Sequence, residues 1–235
     1  MNRQSNTYTI IYSIILVVVV GVVLSVVYQA LRPKQEENIL NDTKKQILAA
    51  ALISPQNGES VAEIYDRFIT ESYIVNSKGE KVNPDVNPIG VNMATEVKKP
   101  ADERMLPVFV CQTDNGTKYI VPVYGAGLWG PIWGYIAMDD NGDTIYGAYF
   151  AHQGETPGLG AEIEKPAFSS QFEGKNIFAT DGSFQSVKVV KVGKEPSQGA
   201  YVHAVSGGTI TSQGVDKMLA ESLEPYSAFF HELNK

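Results

Sequence analysis

The sequence predicts an α+β fold: a soluble body with an antiparallel sheet, carried on one N-terminal transmembrane helix through a helical stalk. Three observations predict it. Residues 10–28 form an apolar run interrupted only by Ser13, Gly21 and Ser25. Between residues 106 and 150, short β-like runs face each other across glycine-containing turns. Helical spacing of apolar residues is strongest on the two flanks, and runs of strands with segregated helices are the α+β pattern. With 235 residues, 43% of them hydrophobic and 19% charged, the chain suffices for one medium domain plus an anchor, or for two small lobes.

As a helix, the 10–28 run would span about 28 Å, close to the hydrocarbon thickness of a bilayer. No charge lies between Arg3 and Arg32, and Tyr8, Tyr12 and Tyr28 sit near the two ends, where aromatic belts form. The run is longer than the apolar core of a signal peptide, one Arg precedes it, and no small-x-small cleavage site follows. Segment 1–34 is therefore read as an uncleaved single-pass anchor in membrane lipid. Arg32, Lys34, Lys44 and Lys45 follow the run, against Arg3 before it, a count that favours a cytoplasmic body. The rule weakens ahead of a long domain, and Glu36, Glu37 and Asp42 lie among those cations, so charge alone leaves both sides open.

Segment 35–100 reads as a stalk and connector. Residues 35–54 place Ile39, Leu40, Ile47, Leu48 and Ala51 roughly on one helical face, and Pro55 ends the helix. Ser60 and Glu63 have capping-box spacing for a short helix through Phe68. Residues 71–82 form a hairpin pattern around Ser77-Lys78-Gly79, and 85–100, rich in Asn, Pro and Gly, read as a loop. The body, 101–235, opens with strands at 106–112 and 118–124 about Asp114-Asn115-Gly116. Strands at 132–138 and 144–150 follow, about Asp139-Asp140-Asn141-Gly142. A short helix at 166–172 and strands at 187–192 and 201–205 precede a C-terminal helix. Val215, Met218, Leu219 and Leu223 recur there at helical spacing, and the helix extends through Phe229, Phe230 and Leu233. Cys111 and Trp133 lie in apolar runs and read as core.

The net charge is −7, and the only charge in residues 1–28 is Arg3, so the acidic excess belongs to the rest of the chain. This argues against nucleic-acid binding, which wants a basic patch. One cysteine excludes an intrachain disulfide and a Cys-rich zinc or iron–sulfur site within this chain. His152 and His203 have no third ligand at fixed spacing, and no metal is assigned to them. No G-x-S-x-G elbow supports a hydrolytic triad.

The stretch around which the body is organised is Ser206-Gly207-Gly208-Thr209-Ile210-Thr211-Ser212. It joins a strand to a helix, with Thr211 or Ser212 available as cap. Two glycines let the backbone turn and bare its N–H groups, and a helix start suits a phosphate. The spacing is neither G-x-x-x-x-G-K-[ST] nor G-x-G-x-x-G, so a plain glycine turn and a phosphate site both fit it. Gly125-Ala126-Gly127-Leu128-Trp129-Gly130-Pro131 fits either a bulge or a place where a flat ligand comes close. His152-Gln153-Gly154-Glu155-Thr156-Pro157-Gly158-Leu159-Gly160 fixes an irregular backbone, with an acceptor at Glu155 and a hydroxyl at Thr156.

Together these three stretches resemble the FMN-binding domain family. Ser206-Gly207-Gly208-Thr209 resembles its flavinylation motif D-x-x-[ST]-G-A-T, with Gly208 in place of alanine and His203 in place of aspartate. The string H-x-x-E-T-P-G-L-G at 152–160, with G-x-G-L-W at 125–129 and the apolar N-terminus, is similar to the membrane-anchored FMN-binding subunits of sodium-translocating NADH:quinone reductases. The homologous FMN-binding protein of the ferredoxin-linked ion-pumping complex shares the pattern.

The resemblance implies an FMN covalently linked to Thr209 by a phosphoester, with Ser206, Gly207, Gly208 and Thr211 around its phosphate. It carries Glu155, Thr156, Leu159, Leu128 and Trp129 over as flavin contacts. It implies a one-electron carrier in an NADH:ubiquinone reductase that exports sodium, in the bacterial inner membrane with the body on the periplasmic side. Other membrane subunits of that complex would be its partners, and a flavin-attaching transferase would mature it. The same carrier in the ferredoxin-linked complex, or an anchored module with Thr209 unmodified, are the alternatives.

Overall fold

The computed structural model describes residues 6–55, 58–82 and 85–233. Contacts divide the chain into two units, Met1–Asp42 and Thr43–Lys235. The described part of the first belongs to helix α1 (Asn6–Ala50), which continues into the second. Its large apolar side chains from Ile10 to Tyr28 are exposed, and its most apolar window has a mean hydropathy of 3.1. The helix is thus long and apolar enough to cross a membrane. Pro33 lies inside it and has no N–H to give to the preceding turn.

In the second unit α1 buries Ile47, Leu48 and Ala50, and Ala51 just beyond it is buried too, whereas Ile39 is 65% exposed and Leu40 is exposed as well. The apolar face expected along 35–54 is therefore used only from the last turns, because the second unit begins at Thr43. Helix α2 (Val61–Phe68) forms, but Ser60 makes no side-chain cap bond, so the expected capping box is not made. Strands β1 (Ile69–Val75) and β2 (Lys81–Val82) form the expected hairpin. The loop expected at 85–100 contains a 3-10 turn (Pro88–Gly90) and helix α3 (Met93–Glu96).

Strands β3 (Leu106–Thr113), β4 (Gly116–Ala126), β5 (Pro131–Met138) and β6 (Ile145–His152) complete one antiparallel sheet of order β2-β1-β3-β4-β5-β6. Residues 69–82, read from sequence as part of the connector, therefore belong to the same sheet as the body. Helix α4 (Pro166–Ser169) runs into a 3-10 turn (Ser170–Phe172). Strands β7 (Lys188–Val190) and β8 (Tyr201–His203) are shorter than expected and pair in parallel, apart from the main sheet. Helix α5 (Thr209–Leu223) and helix α6 (Ser227–Leu233) are separated by a 3-10 turn holding Pro225, where sequence suggested one helix.

The first six residues of β3 are all buried, which a one-sided sheet would not allow. The cause is cover on both faces. Val108, Val121 and Ile136 share a core with Val215 and Leu219 of α5 and Phe230 of α6. Phe109, Cys111 and Ala137 belong to a second core with Ile47, Leu48 and Ile64. Burial pushes the Cys111 thiol up to about 11, so it stays a neutral packing group near pH 7. Trp133 is half-buried instead of fully in the core, and its Nε1–H donates to Gln46 Oε1 at 3.1 Å.

Arg104 ties the 85–105 segment to α5. Its Nε and Nη2 donate to the carbonyls of Lys99 (2.9 Å) and Val97 (2.8 Å), just past α3, and its Nη1 to Glu221 O (3.1 Å), in the last turn of α5. Helix ends leave such carbonyls without donors, and a cation suits them. Arg104→Ala should cost about 2–3 kcal/mol of stability, read by thermal unfolding of the full chain in detergent. Arg104→Lys should recover only part, because an ammonium cannot reproduce the planar fork.

Candidate functional site at the start of α5

Three loops meet at the N-terminus of α5. The first leaves β8 and turns at Ser206-Gly207, where Gly208 N–H donates to Val205 O at 3.1 Å. Gly207 has φ +74°, a left-handed conformation, and a side chain there would meet Leu159 Cδ2. Gly208 is the N-cap residue and makes no side-chain bond, so neither Thr211 nor Ser212 caps the helix. Both lie inside its first turn. Ser212 N–H makes the first helical bond, to Gly208 O at 2.9 Å. Among the described residues, the backbone N–H groups of Thr209, Ile210 and Thr211 make no bond to a backbone or side-chain acceptor, as expected of a helix start.

The hydroxyls sort into engaged and free. Ser212 Oγ is buried and accepts from Val205 N–H at 3.0 Å. Thr211 Oγ1 is buried and donates to Glu155 Oε2 at 2.5 Å. Thr209 is half-exposed and lines a cavity of about 200 Å³ with Ser212, Val190, Ala204, Lys191 and Lys194.

Glu155 is the knot between the loops. It is 4% exposed. Its Oε1 accepts from Trp129 N–H at 2.8 Å, and its Oε2 holds Thr211. A Cβ at Gly127 would meet Glu155 Oε1, and one at Gly160 would collide with Glu155 Oε2 and Thr211 Oγ1, so the carboxylate fits only between glycines. His152 Nδ1 accepts from Glu155 N–H at 3.1 Å, which assigns the imidazole proton to Nε2, 3.5 Å from Glu164 Oε2. Among the described residues no cation pairs with Glu155; two hydrogen bonds and the positive end of α5 stabilise its charge.

The structure therefore brings together Ser206, Gly207, Gly208, Thr209, Thr211, Glu155 and Leu159, and joins the Leu128-Trp129 loop to them through the bond from Trp129 N–H to the Glu155 carboxylate. Thr156 is exposed, its carbonyl accepting from Leu159 and Ala161 N–H. Leu128, Trp129 and Leu159 on these loops and Ile210 in the first turn of α5 leave 48%, 68%, 43% and 54% of their surface in water. His203, at the aspartate position of the motif, ends β8. Its N–H donates to Gln171 Oε1 at 2.9 Å, and its Nδ1 lies 3.8 Å from Glu195 Oε1. Sequence reading missed Lys191 and Lys194. Only the pairing of β7 with β8 brings them to Thr209, and no local spacing signals it.

An FMN fits these residues. Its phosphate has open N–H groups and a hydroxyl at one helix start, a flat ring has exposed apolar side chains nearby, and the glycines keep the backbone close.

Residues 127–224 match the model of the FMN-binding domain family. Over 258 residues the chain is 30% identical to the C subunit of the Na(+)-translocating NADH-quinone reductase of Pseudomonas aeruginosa, covering 100% of this chain and 98% of that protein. The crystal structure of the corresponding protein from Parabacteroides distasonis superposes with a TM-score of 0.78 at 48% identity, covering 85% of this chain and 96% of the other. Shewanella oneidensis NqrC gives 0.69 at 27% identity, covering 83% and 97%. The likeness runs the length of the chain and takes in all three loops, and the chain belongs to the NqrC family of Na(+)-translocating NADH-quinone reductase subunits.

Proposed function

We propose that this chain carries FMN in phosphoester linkage to Thr209 Oγ1 and relays single electrons between neighbouring subunits of a sodium-exporting NADH:quinone reductase. The observation that carries the reading is the sorting of hydroxyls at the start of α5. Thr211 and Ser212 are buried and engaged, and Thr209 alone of the three is half-exposed on a cavity beside open backbone N–H groups. The Thr209 Oγ1–phosphorus bond would form as a transferase displaces the leaving group of an activated flavin nucleotide, the hydroxyl proton passing to a base of that enzyme. Bound FMN supplies reversible electron uptake. The protein's part is to fix it. The first turn of α5 would hold the phosphate, Glu155 would hold the three loops in register, and Leu128, Trp129, Leu159 and Ile210 would shield one side of the ring from water. A covalent tether would prevent loss of the flavin on the periplasmic side, the side we propose for the body, with α1, long and apolar enough to span a bilayer, as its anchor.

The test is the intact mass of the chain purified from its own membrane. A chain heavier by FMN less one water is expected. A mass equal to that of the amino acids alone would replace the electron-carrier reading with an unmodified anchored module.

A further inference from the structure

We propose that Lys191 and Lys194, on the loop between β7 and β8, clamp the phosphate of the Thr209-linked FMN. The inference rests on the attachment reading and adds residues that no motif of the family supplied. The two lysines line the same cavity of about 200 Å³ as Thr209.

The charge balance at the helix start gives the reason a clamp is needed. The N-terminus of α5 is worth about half a positive charge. That end already faces one buried carboxylate, Glu155, through Thr211 in its first turn. A phosphodiester on Thr209 adds a second anion to the same turn, which the helix end alone does not balance. Two lysines lining the cavity that Thr209 lines would supply the missing charge.

Those ammonium groups are available. Among the described residues neither Lys191 nor Lys194 has a carboxylate within ion-pair distance. The acid of their own loop, Glu195, is turned elsewhere: Oε1 accepts from Gly193 N–H at 2.7 Å and lies 3.8 Å from His203 Nδ1. On α5, Glu221 lies 3.6 Å from Lys217 Nζ, and Asp216 is also committed, accepting from Val189 N–H at 2.8 Å. That bond has a second effect. It fixes the middle of β7 to α5 two turns after Thr209, and Ala204 N–H donates to Val190 O at 2.7 Å, so the strand from which the lysine loop leaves is held to the helix that carries the hydroxyl. The loop itself is otherwise exposed, with Val192 at 78%. A phosphate between the lysines would order it.

The experiment uses the full chain in detergent, coexpressed with the flavin-attaching enzyme, and follows amide hydrogen exchange of residues 191–195 beside the intact mass. Flavinylated wild type is expected to exchange there about fivefold more slowly than Thr209→Ala, and a Lys191→Gln/Lys194→Gln chain that still carries FMN by mass should lose that protection. Lys191→Arg/Lys194→Arg should keep it. The single Gln substitutions serve where the double variant is poorly modified. Equal protection in wild type and the Gln variants, or none in flavinylated wild type, would overturn the clamp while leaving the attachment intact. A wild-type mass without FMN would overturn both.

Discussion

Thr209→Ala is expected to abolish the covalent flavin completely, whereas Thr209→Ser should retain it. Loss should be total because no neighbouring hydroxyl can take over. Thr211 Oγ1 is buried and donates to Glu155, and Ser212 Oγ is buried and accepts from the Val205 amide. Either would have to break an internal hydrogen bond and leave the core to meet a transferase, at a cost of about 1–3 kcal/mol for each group left unpaired. Ser206 is exposed, but it sits before the left-handed turn at Gly207, outside the helix whose amides would receive the phosphate. Thr209→Ala should fold normally, since its side chain makes no hydrogen bond among the described residues and Ala is a good residue near a helix start. Flavin fluorescence of the denatured band, with intact mass, is the measurement. A fluorescent Thr209→Ala band would move the attachment elsewhere.

The strands of the body were legible because two of their hairpins carry a local sign, an Asp-Asn-Gly turn between apolar runs, and β3 to β6 lie within two residues of the spans expected. The helical stalk was harder to divide. Ile39 and Ile47 share a helical face in sequence, and only tertiary contact tells that one is exposed and the other buried. β1 was read as part of a connector because its place inside the sheet comes from pairing with β3, far along the chain, which local pattern does not encode. The parallel pair β7–β8 escaped for the same reason, and with it Lys191 and Lys194.

The candidate site shows the opposite balance. Its residues were legible as strings, but their division of labour was not. The family resemblance carries Glu155 over as a flavin contact. In the structure both its oxygens face inward, one to the Trp129 amide and one to the Thr211 hydroxyl, so its first task is to hold the loops together. Glu155→Ala should therefore act on stability as well as on cofactor loading. Two donors, the buried Thr211 hydroxyl and the partly buried Trp129 amide, would lose their acceptor, at about 1–3 kcal/mol each with the amide at the low end, giving a loss of roughly 2–5 kcal/mol. Removing the carboxylate also removes an anion without a cationic partner, which offsets part of that cost and sets the lower end of the range. For a body of this size the melting temperature should fall by about 5–15 °C. Glu155→Gln separates shape from charge. Its carbonyl can still accept from the Trp129 amide, and its amide can donate to Thr211 Oγ1 if that hydroxyl turns to another acceptor, so it should lie within about 1 kcal/mol of wild type. The same glutamine also relieves the helix start of one negative charge, and FMN attachment in Glu155→Gln should proceed at least as fast as in wild type while Glu155→Ala is slowed. Thermal unfolding and the time course of the mass gain measure both. An alanine variant as stable as wild type would mean that the three loops are held by their glycine contacts and that the carboxylate serves the flavin alone.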